Sequence, residues 1–379
     1  MIRLAVPSIE NDDLDAVRNV LATGFLVQGS HVAAFEKAVA ERTGVPYAVA
    51  VTNCTAALHL SLLALGIKPG NRVVVTAYSW ISTANVIELC GARPVFVDIE
   101  PETFNMDPGR LSTTLDTACR SSDPDERPKA VLAADIFGQI ADFPRILAVA
   151  DRYGLPVIED AACSIGASLD GKPAGAWGRA GCFSFHPRKA VTTGEGGMVA
   201  TQDDRLAWTI KALRNHGLDP DSTTPQFVMP GYNCRMTEFQ AALGRTQVAK
   251  LDRILATRRK LASHYDRLLE GTGFRIPAAA KGPGTHAFQS YVILLPPPAS
   301  CRRAEIIRKL RENGIETTIG TWHMPMASYF QNRYGFRRGD FPVTDDLFER
   351  ALTLPLYEAL APEQQETVVR QLVRTAGPR

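Results

Sequence analysis

The chain has 379 residues, 45% of them hydrophobic and 22% charged, with a formal net charge of +2. That length suits one large domain and a smaller one, and the near-balanced charge offers neither a basic surface for nucleic acid nor an acidic tail. Seven scattered cysteines (Cys54, Cys90, Cys119, Cys163, Cys182, Cys234 and Cys301) contain no C-x-x-C pair, so a disulfide framework and a zinc site are not expected, and a reducing cytoplasm is.

Acidic residues appear as early as Glu10, Asp12 and Asp13, which does not fit a signal peptide. No apolar run approaches the ~20 residues that span a membrane. The pattern predicts helices over 12–21 and after Ser30, with Ser30 as N-cap. Residues 47–51 read as a buried strand and 55–65 as a helix stopped by Gly66. Strand 72–75, helix 81–90 closed by Gly91, and strand 94–97 follow. Strand 130–134, helix 143–153 stopped by Gly154, and the strand Val157-Ile158 continue the series. Segment 121–129 reads as an exposed loop. Short apolar strands alternating with amphipathic helices predict an α/β fold, a mostly parallel sheet covered on both faces.

Segment 181–185 is apolar and strand-like, and leads into a turn with three glycines. After about residue 245 the rhythm changes. A helical stretch from a cap at Thr237 runs to 269, and 271–284 is a connection rich in Gly, Pro and Ala. A strand over 291–295, a helix over 304–313 and a last helix from Pro362 follow. The expected division is a large domain over 1–245 and a smaller α+β domain over 246–379.

Three segments carry chemistry-bearing side chains. Lys189 lies in Phe183-Ser184-Phe185-His186-Pro187-Arg188-Lys189, just before Gly194, Gly196 and Gly197. An amine held away from bulk water can lose its proton near neutral pH and form a Schiff base with an aldehyde. In Thr52-Asn53-Cys54-Thr55 a strand gives way to a helix, whose free N–H groups and the Thr55 hydroxyl suit a phosphate. In Val157-Ile158-Glu159-Asp160-Ala161-Ala162-Cys163 a carboxylate ends a buried strand, where it needs a partner. Taken singly, the same residues also read as a surface lysine, a helix cap and a salt-bridged carboxylate.

Taken together they resemble the DegT/StrS-type sugar aminotransferases, which use pyridoxal phosphate (PLP). The resemblance covers nearly the whole chain, including Phe137-Gly138-Gln139 and Leu354-Pro355-Leu356-Tyr357. It implies the PLP-dependent transferase fold of type I. It also implies Lys189 as the Schiff-base lysine and proton carrier, and Asp160 as the partner of the pyridine nitrogen. Cys54, Thr55 and Ser184 would face the phosphate; family members often have Gly where this chain has Cys54. Trp80, in Tyr78-Ser79-Trp80, would stack on the ring. Cys163 stands where the family usually has Gln or His near the ring. Asn233, in Gly231-Tyr232-Asn233-Cys234-Arg235, would reach the partner's cofactor phosphate in a homodimer with shared active sites. His186 and His323 are either substrate contacts or packed histidines.

The function implied is transfer of an amino group from L-glutamate to a keto sugar carried on a nucleotide diphosphate. C4 of a 4-keto-6-deoxyhexose is preferred to C3, and the product is an amino sugar for polysaccharide, glycan or natural-product synthesis. A cyclitol (scyllo-inosose-type) aminotransferase is the runner-up. A sugar dehydratase on this scaffold has His in place of the lysine, so Lys189 argues against it. A non-catalytic PLP-binding regulator is the remaining class, and no DNA-binding module is recognisable in the chain.

Overall fold

The computed structural model describes residues 1–123, 126–278, 284–300 and 302–376. Parts of the expected loop 121–129 and connection 271–284 lie outside the described residues, as does Cys301. Seven apolar segments among them form the central sheet: Tyr47–Val51 (β1), Arg72–Thr76 (β2), Arg93–Val97 (β3), Pro128–Ala134 (β4), Val157–Asp160 (β5), Ala180–Ser184 (β6) and Gly197–Thr201 (β7). Their order across the sheet is β1-β7-β6-β5-β4-β2-β3. Helices cover both faces, so Val73, Val74 and Val75 are all fully buried; that is why the strands read as continuous apolar runs rather than alternating ones.

All the strands run the same way except β7, which is antiparallel to both β1 and β6. The glycine-rich turn after Lys189 is where the chain reverses. The sequence pattern does not predict β7, because its run Gly-Met-Val-Ala-Thr is short and no helix separates it from β6. The helices before the sheet occupy Asn11–Thr23 and Ser30–Thr43. Ser30 is the first helical residue and not the cap: Gly29 holds that position. The capping is supplied from far along the chain, where the buried Glu238 carboxylate accepts the N–H groups of Gly29, His31 and Val32.

The predicted helix 237–269 is two helices, Glu238–Ala249 and Leu251–Leu269, hinged at Lys250. Thr237 is the N-cap, in a reciprocal pair with Gln240. The second helix begins in one core and ends in another. Leu251, Ile254 and Leu255 pack with Phe35, Phe183 and Phe185, whereas Leu261, Tyr265 and Leu269 pack with Tyr291, Leu310 and Leu372.

The C-terminal part builds a small antiparallel sheet from Tyr291–Leu294 (β8), Thr318–Ile319 (β9) and Ala351–Leu354 (β10), in the order β8-β10-β9. The helices Arg303–Glu312 and Pro362–Ala376 supply further residues to its core. A two-residue strand, Trp322–His323, leaves this part and pairs with Tyr78–Ser79 of the large sheet's loops, Trp322 opposite Ser79 and His323 opposite Tyr78. No described helix is long and apolar enough to cross a membrane.

Candidate active site

Strands β1, β6, β5 and β2 end at the same edge of the sheet, the edge where open α/β sheets hold ligands. Asp160 is the last residue of β5 and only 5% exposed. Its Oδ2 accepts the Thr83 hydroxyl at 2.8 Å and its Oδ1 accepts the Ala162 N–H at 3.2 Å. Ser79 Oγ lies 2.9 Å from Thr83 Oγ1 and extends this chain. Burial pushes the Asp160 carboxyl above its ordinary value, and the Thr83 bond, the Lys189 charge and the Ala162 N–H partly offset it. Among the described residues no Lys or Arg forms an ion pair with it.

Lys189 follows β6 in a turn closed by its own N–H on the His186 carbonyl at 2.8 Å. Its Nζ stands 3.1 Å from Cys163 Sγ. A depressed amine was the expectation, and the direction is the opposite. Burial does pull the Lys189 amine down, but Cys163, Cys54 and Asp160 outweigh it and hold it above the ordinary lysine value. These surroundings favour the protonated amine.

The helix Cys54–Ala64 begins directly beyond β1, with Asn53 as its cap. Asn53 binds the Ala56 N–H with its side chain at 2.8 Å and the Ala57 N–H with its carbonyl at 3.1 Å. The amides of Cys54 and Thr55 come before these and find no acceptor among the described residues. Gly197 explains how Ser184 joins them. It pairs with Val51 on one side and Ser184 on the other. A Cβ on Gly197 would come within 2.4 Å of the Asn53 backbone, so only glycine permits this approach. Cys54 Sγ points across the floor, 4.0 Å from Asp160 Oδ1 and 3.7 Å from the Cys182 carbonyl.

The structure thus gathers Cys54, Thr55, Asp160, Cys163, Ser184 and Lys189 at one edge. Trp80 stands at the rim, 59% exposed. Asn233 is exposed beside its own chain's β1, bridged to Asn215, while the neighbouring Cys234 carbonyl accepts the Thr52 N–H at 3.0 Å. His186 turns its Nδ1 to the Arg188 N–H at 3.2 Å, and burial lowers its ring's basicity. His323 is 3% exposed, with Nε2 3.1 Å from Asp345 Oδ1 and Phe341 and Phe348 against its ring. Cross-strand partners share a face. His323 therefore shares the buried side of Tyr78, and Trp322, 45% exposed, shares the side on which Ser79 meets Thr83.

Sequence reasoning missed Thr83, Ser79 and Trp322. The signal for the first two was present in two hydroxyls four residues apart at a helix start. None existed for Trp322, because its place depends on a pairing across more than two hundred residues. Two surface hollows elsewhere, one near Thr103 and Asp142 and one near Glu36 and Lys211, contain none of these groups.

PLP fits this edge on three observations. The buried Asp160 carboxylate makes no ion pair among the described residues, and a ring N–H⁺ would offset its desolvation. A half-buried amine, Lys189, stands nearby. Two unpaired helix-start amides with the Thr55 and Ser184 hydroxyls suit a phosphate.

The model of the DegT/DnrJ/EryC1/StrS aminotransferase family matches residues 7–373. Among curated proteins, GDP-perosamine synthase of Caulobacter vibrioides is 39% identical over 319 residues, covering 83% of either chain. Among solved structures, Helicobacter pylori PseC, an aminotransferase of pseudoaminic acid biosynthesis, superposes with a TM-score of 0.90 at 26% identity over 98% of both chains. The PLP form of Spr1654 from Streptococcus pneumoniae gives a TM-score of 0.91 at 25% identity, again over 98% of both.

Proposed function

This chain belongs to the DegT/DnrJ/EryC1/StrS aminotransferase family, and from that membership we propose that it transfers the amino group of L-glutamate to a keto sugar linked to a nucleotide diphosphate. It is a PLP-dependent sugar aminotransferase of the type I fold. The finer reading takes C4 of a 4-keto-6-deoxyhexose as the acceptor carbon, in a cytoplasmic homodimer with shared sites. Residues 1–245 form the cofactor-binding part and 246–379 the smaller domain. The observation that carries it is the convergence of Asp160 and Lys189 from neighbouring parallel strands, beside the open start of the helix Cys54–Ala64. The relatives named for GDP-perosamine and for pseudoaminic acid support a sugar acceptor.

When bound, PLP supplies the aldehyde that takes up the donor nitrogen and the ring that accepts the electron pair left at the donor's α-carbon. Asp160 keeps a proton on the ring nitrogen, with Thr83 fixing the orientation of its carboxylate. Cys54 and Thr55 amides, with the Thr55 and Ser184 hydroxyls, hold the phosphate. Trp80 covers one ring face, and Cys163 lies beside the lysine. Asn233 serves the partner's site. Lys189 Nζ takes the α-proton of the amino donor and returns a proton in the second half of the cycle. Lys189 is the residue that would hold the cofactor aldehyde when PLP is bound.

The test is a panel of nucleotide-linked 4-keto and 3-keto sugars with scyllo-inosose, each supplied with L-glutamate and read by mass spectrometry and NMR of the product. Amination at C4 of a 4-keto-6-deoxy sugar is expected. Exclusive use of a 3-keto sugar or of scyllo-inosose would overturn the finer reading and leave the aminotransferase standing.

A further inference from the structure

Cys163 and Lys189 face each other from the loops that follow two adjacent parallel strands, β5 and β6, registered with Asp160 opposite Cys182. Both backbones are fixed. The Cys163 carbonyl lies against Gly138, where a Cβ would come within 3.0 Å of it. The Lys189 turn is closed by the His186 carbonyl, and the Arg188 carbonyl accepts Gln289 Nε2 at 3.0 Å. The 3.1 Å contact between Sγ and Nζ is therefore built into the fold.

The other cysteines near the site are placed differently. Cys182 is fully buried with its sulfur 3.5 Å from Ser61 Oγ, and Cys54 faces a carboxylate and a carbonyl. Cys163 is partly exposed, so a small oxidant has access to it. Among the described residues it is the cysteine whose sulfur meets an amine.

We propose that in the cofactor-free protein this pair is an oxidation site, at which Cys163 Sγ and Lys189 Nζ become joined as a sulfenamide. Hydrogen peroxide first converts the thiol to a sulfenic acid: the S–H and O–O bonds break, an S–O bond forms, and water leaves. The sulfur loses two electrons and the peroxide gains them. The lysine nitrogen then attacks sulfur, the S–O bond breaks, and the hydroxyl leaves with an amine proton as a second water. An S–N bond is left. The sulfenic sulfur is the electrophile in this step, and the neutral form of the Lys189 amine supplies the lone pair. A lysine joined in this way cannot take up PLP, and a thiol reductant reopens the bond by exchange. Cofactor and oxidation thus compete for one nitrogen. The competition rests on the assignment of Lys189 above; the cross-link does not, so the two fail separately.

The experiment treats the full-length protein with hydrogen peroxide, either loaded with PLP or stripped of it, and reads intact mass and peptide maps. The stripped protein is expected to lose the mass of two hydrogens and to yield a Cys163–Lys189 cross-linked peptide. Dithiothreitol should restore the original mass and, on adding PLP, the visible absorbance band. Cys163→Ser and Lys189→Ala should each abolish the cross-link. Protein loaded with PLP should resist it at the same dose. Oxygen added at Cys163 with Lys189 free, or a disulfide from Cys163 to Cys54, would overturn the proposal. Equal cross-linking with PLP present would overturn the competition alone.

Discussion

Thr83 donates a hydrogen bond from its hydroxyl to Asp160 Oδ2 at 2.8 Å, and it does so from the first turn of the helix Ser82–Leu89, whose backbone is anchored on Trp80 and Ile81. A charge-assisted bond that shapes the reacting ring is worth more than the bond that aims it. Asp160→Ala should therefore lower kcat on the order of 10²-fold or more. Thr83→Val should cost roughly 1 kcal/mol, near fivefold in rate. Steady-state kinetics separates these, and a Thr83→Val enzyme as impaired as Asp160→Ala would refute the division of labour.

Lys189→Ala should retain PLP without a covalent bond and complete no turnover, a loss of at least ~10²-fold for a missing acid–base group. In the native enzyme, borohydride reduction should bleach the visible band and leave the label on Lys189. A label on any other lysine would end this assignment.

For the shared site, mixing Lys189→Ala with Asn233→Ala is decisive. A two-fold dimer repeats one interface, so in the mixed dimer one site collects both defects and the other neither. After subunit exchange, activity should return to roughly a quarter of the native level. No recovery after verified exchange would place the whole site within one chain.

Trp322→Ala should raise KM for the sugar nucleotide several-fold while leaving the half-reaction with the amino donor unchanged, since Trp322 lies at the rim on Ser79's side of the pairing. Stopped-flow of the donor half-reaction beside full turnover distinguishes the two. An equal slowing of both would show that the residue acts on the framework instead.

Beneath the site, Glu159 and Asp135 form a buried carboxyl pair. Glu159 accepts the Gly175 and Trp177 amides, and Asp135 accepts Ser164 Oγ and the Ala141 amide. Burial pushes Glu159 up from the ordinary 4.5 to about 7, and burial together with the Glu159 charge lifts Asp135 as well. A carboxyl raised on folding binds its proton more tightly when folded than when unfolded. Its contribution is full below the unfolded value and is lost as pH climbs through about 7. The thermal midpoint should thus fall as pH rises from 4.5 to beyond 7. Asp135→Asn, which replaces one charge by a permanent donor, should flatten that slope; an unchanged slope would mean that other groups set it.

Much of this was legible in the sequence, and the reason is local. Strands β1 to β5 and three of the helices between them announce themselves through apolar runs, the helices stopped by Gly66, Gly91 and Gly154, each of which has positive φ; the helix Pro108–Ala118 is not among those predicted. Lys189, Asp160 and the Cys54–Thr55 turn stand at strand ends, so chain order alone put them on one edge. What resisted reading depends on distant partners. Glu238 caps a helix some two hundred residues earlier, β7 runs backwards because Gly197 fits between two strands, and His323 is buried while its neighbour faces out. Lys189's protonation was misjudged for the same reason: desolvation was visible in the sequence, and the cluster of Cys163, Cys54 and Asp160 around it was not.

The helix Leu251–Leu269 contributes its first turns to one core and its last turns to the other. Such a shared rod ties the melting of the two cores together, because unravelling either end removes packing surface that the opposite end relies on to stay wound. Calorimetry should accordingly record one heat-absorption peak instead of two. A glycine placed at the half-buried Thr257, midway along the rod, should split that peak by uncoupling the halves.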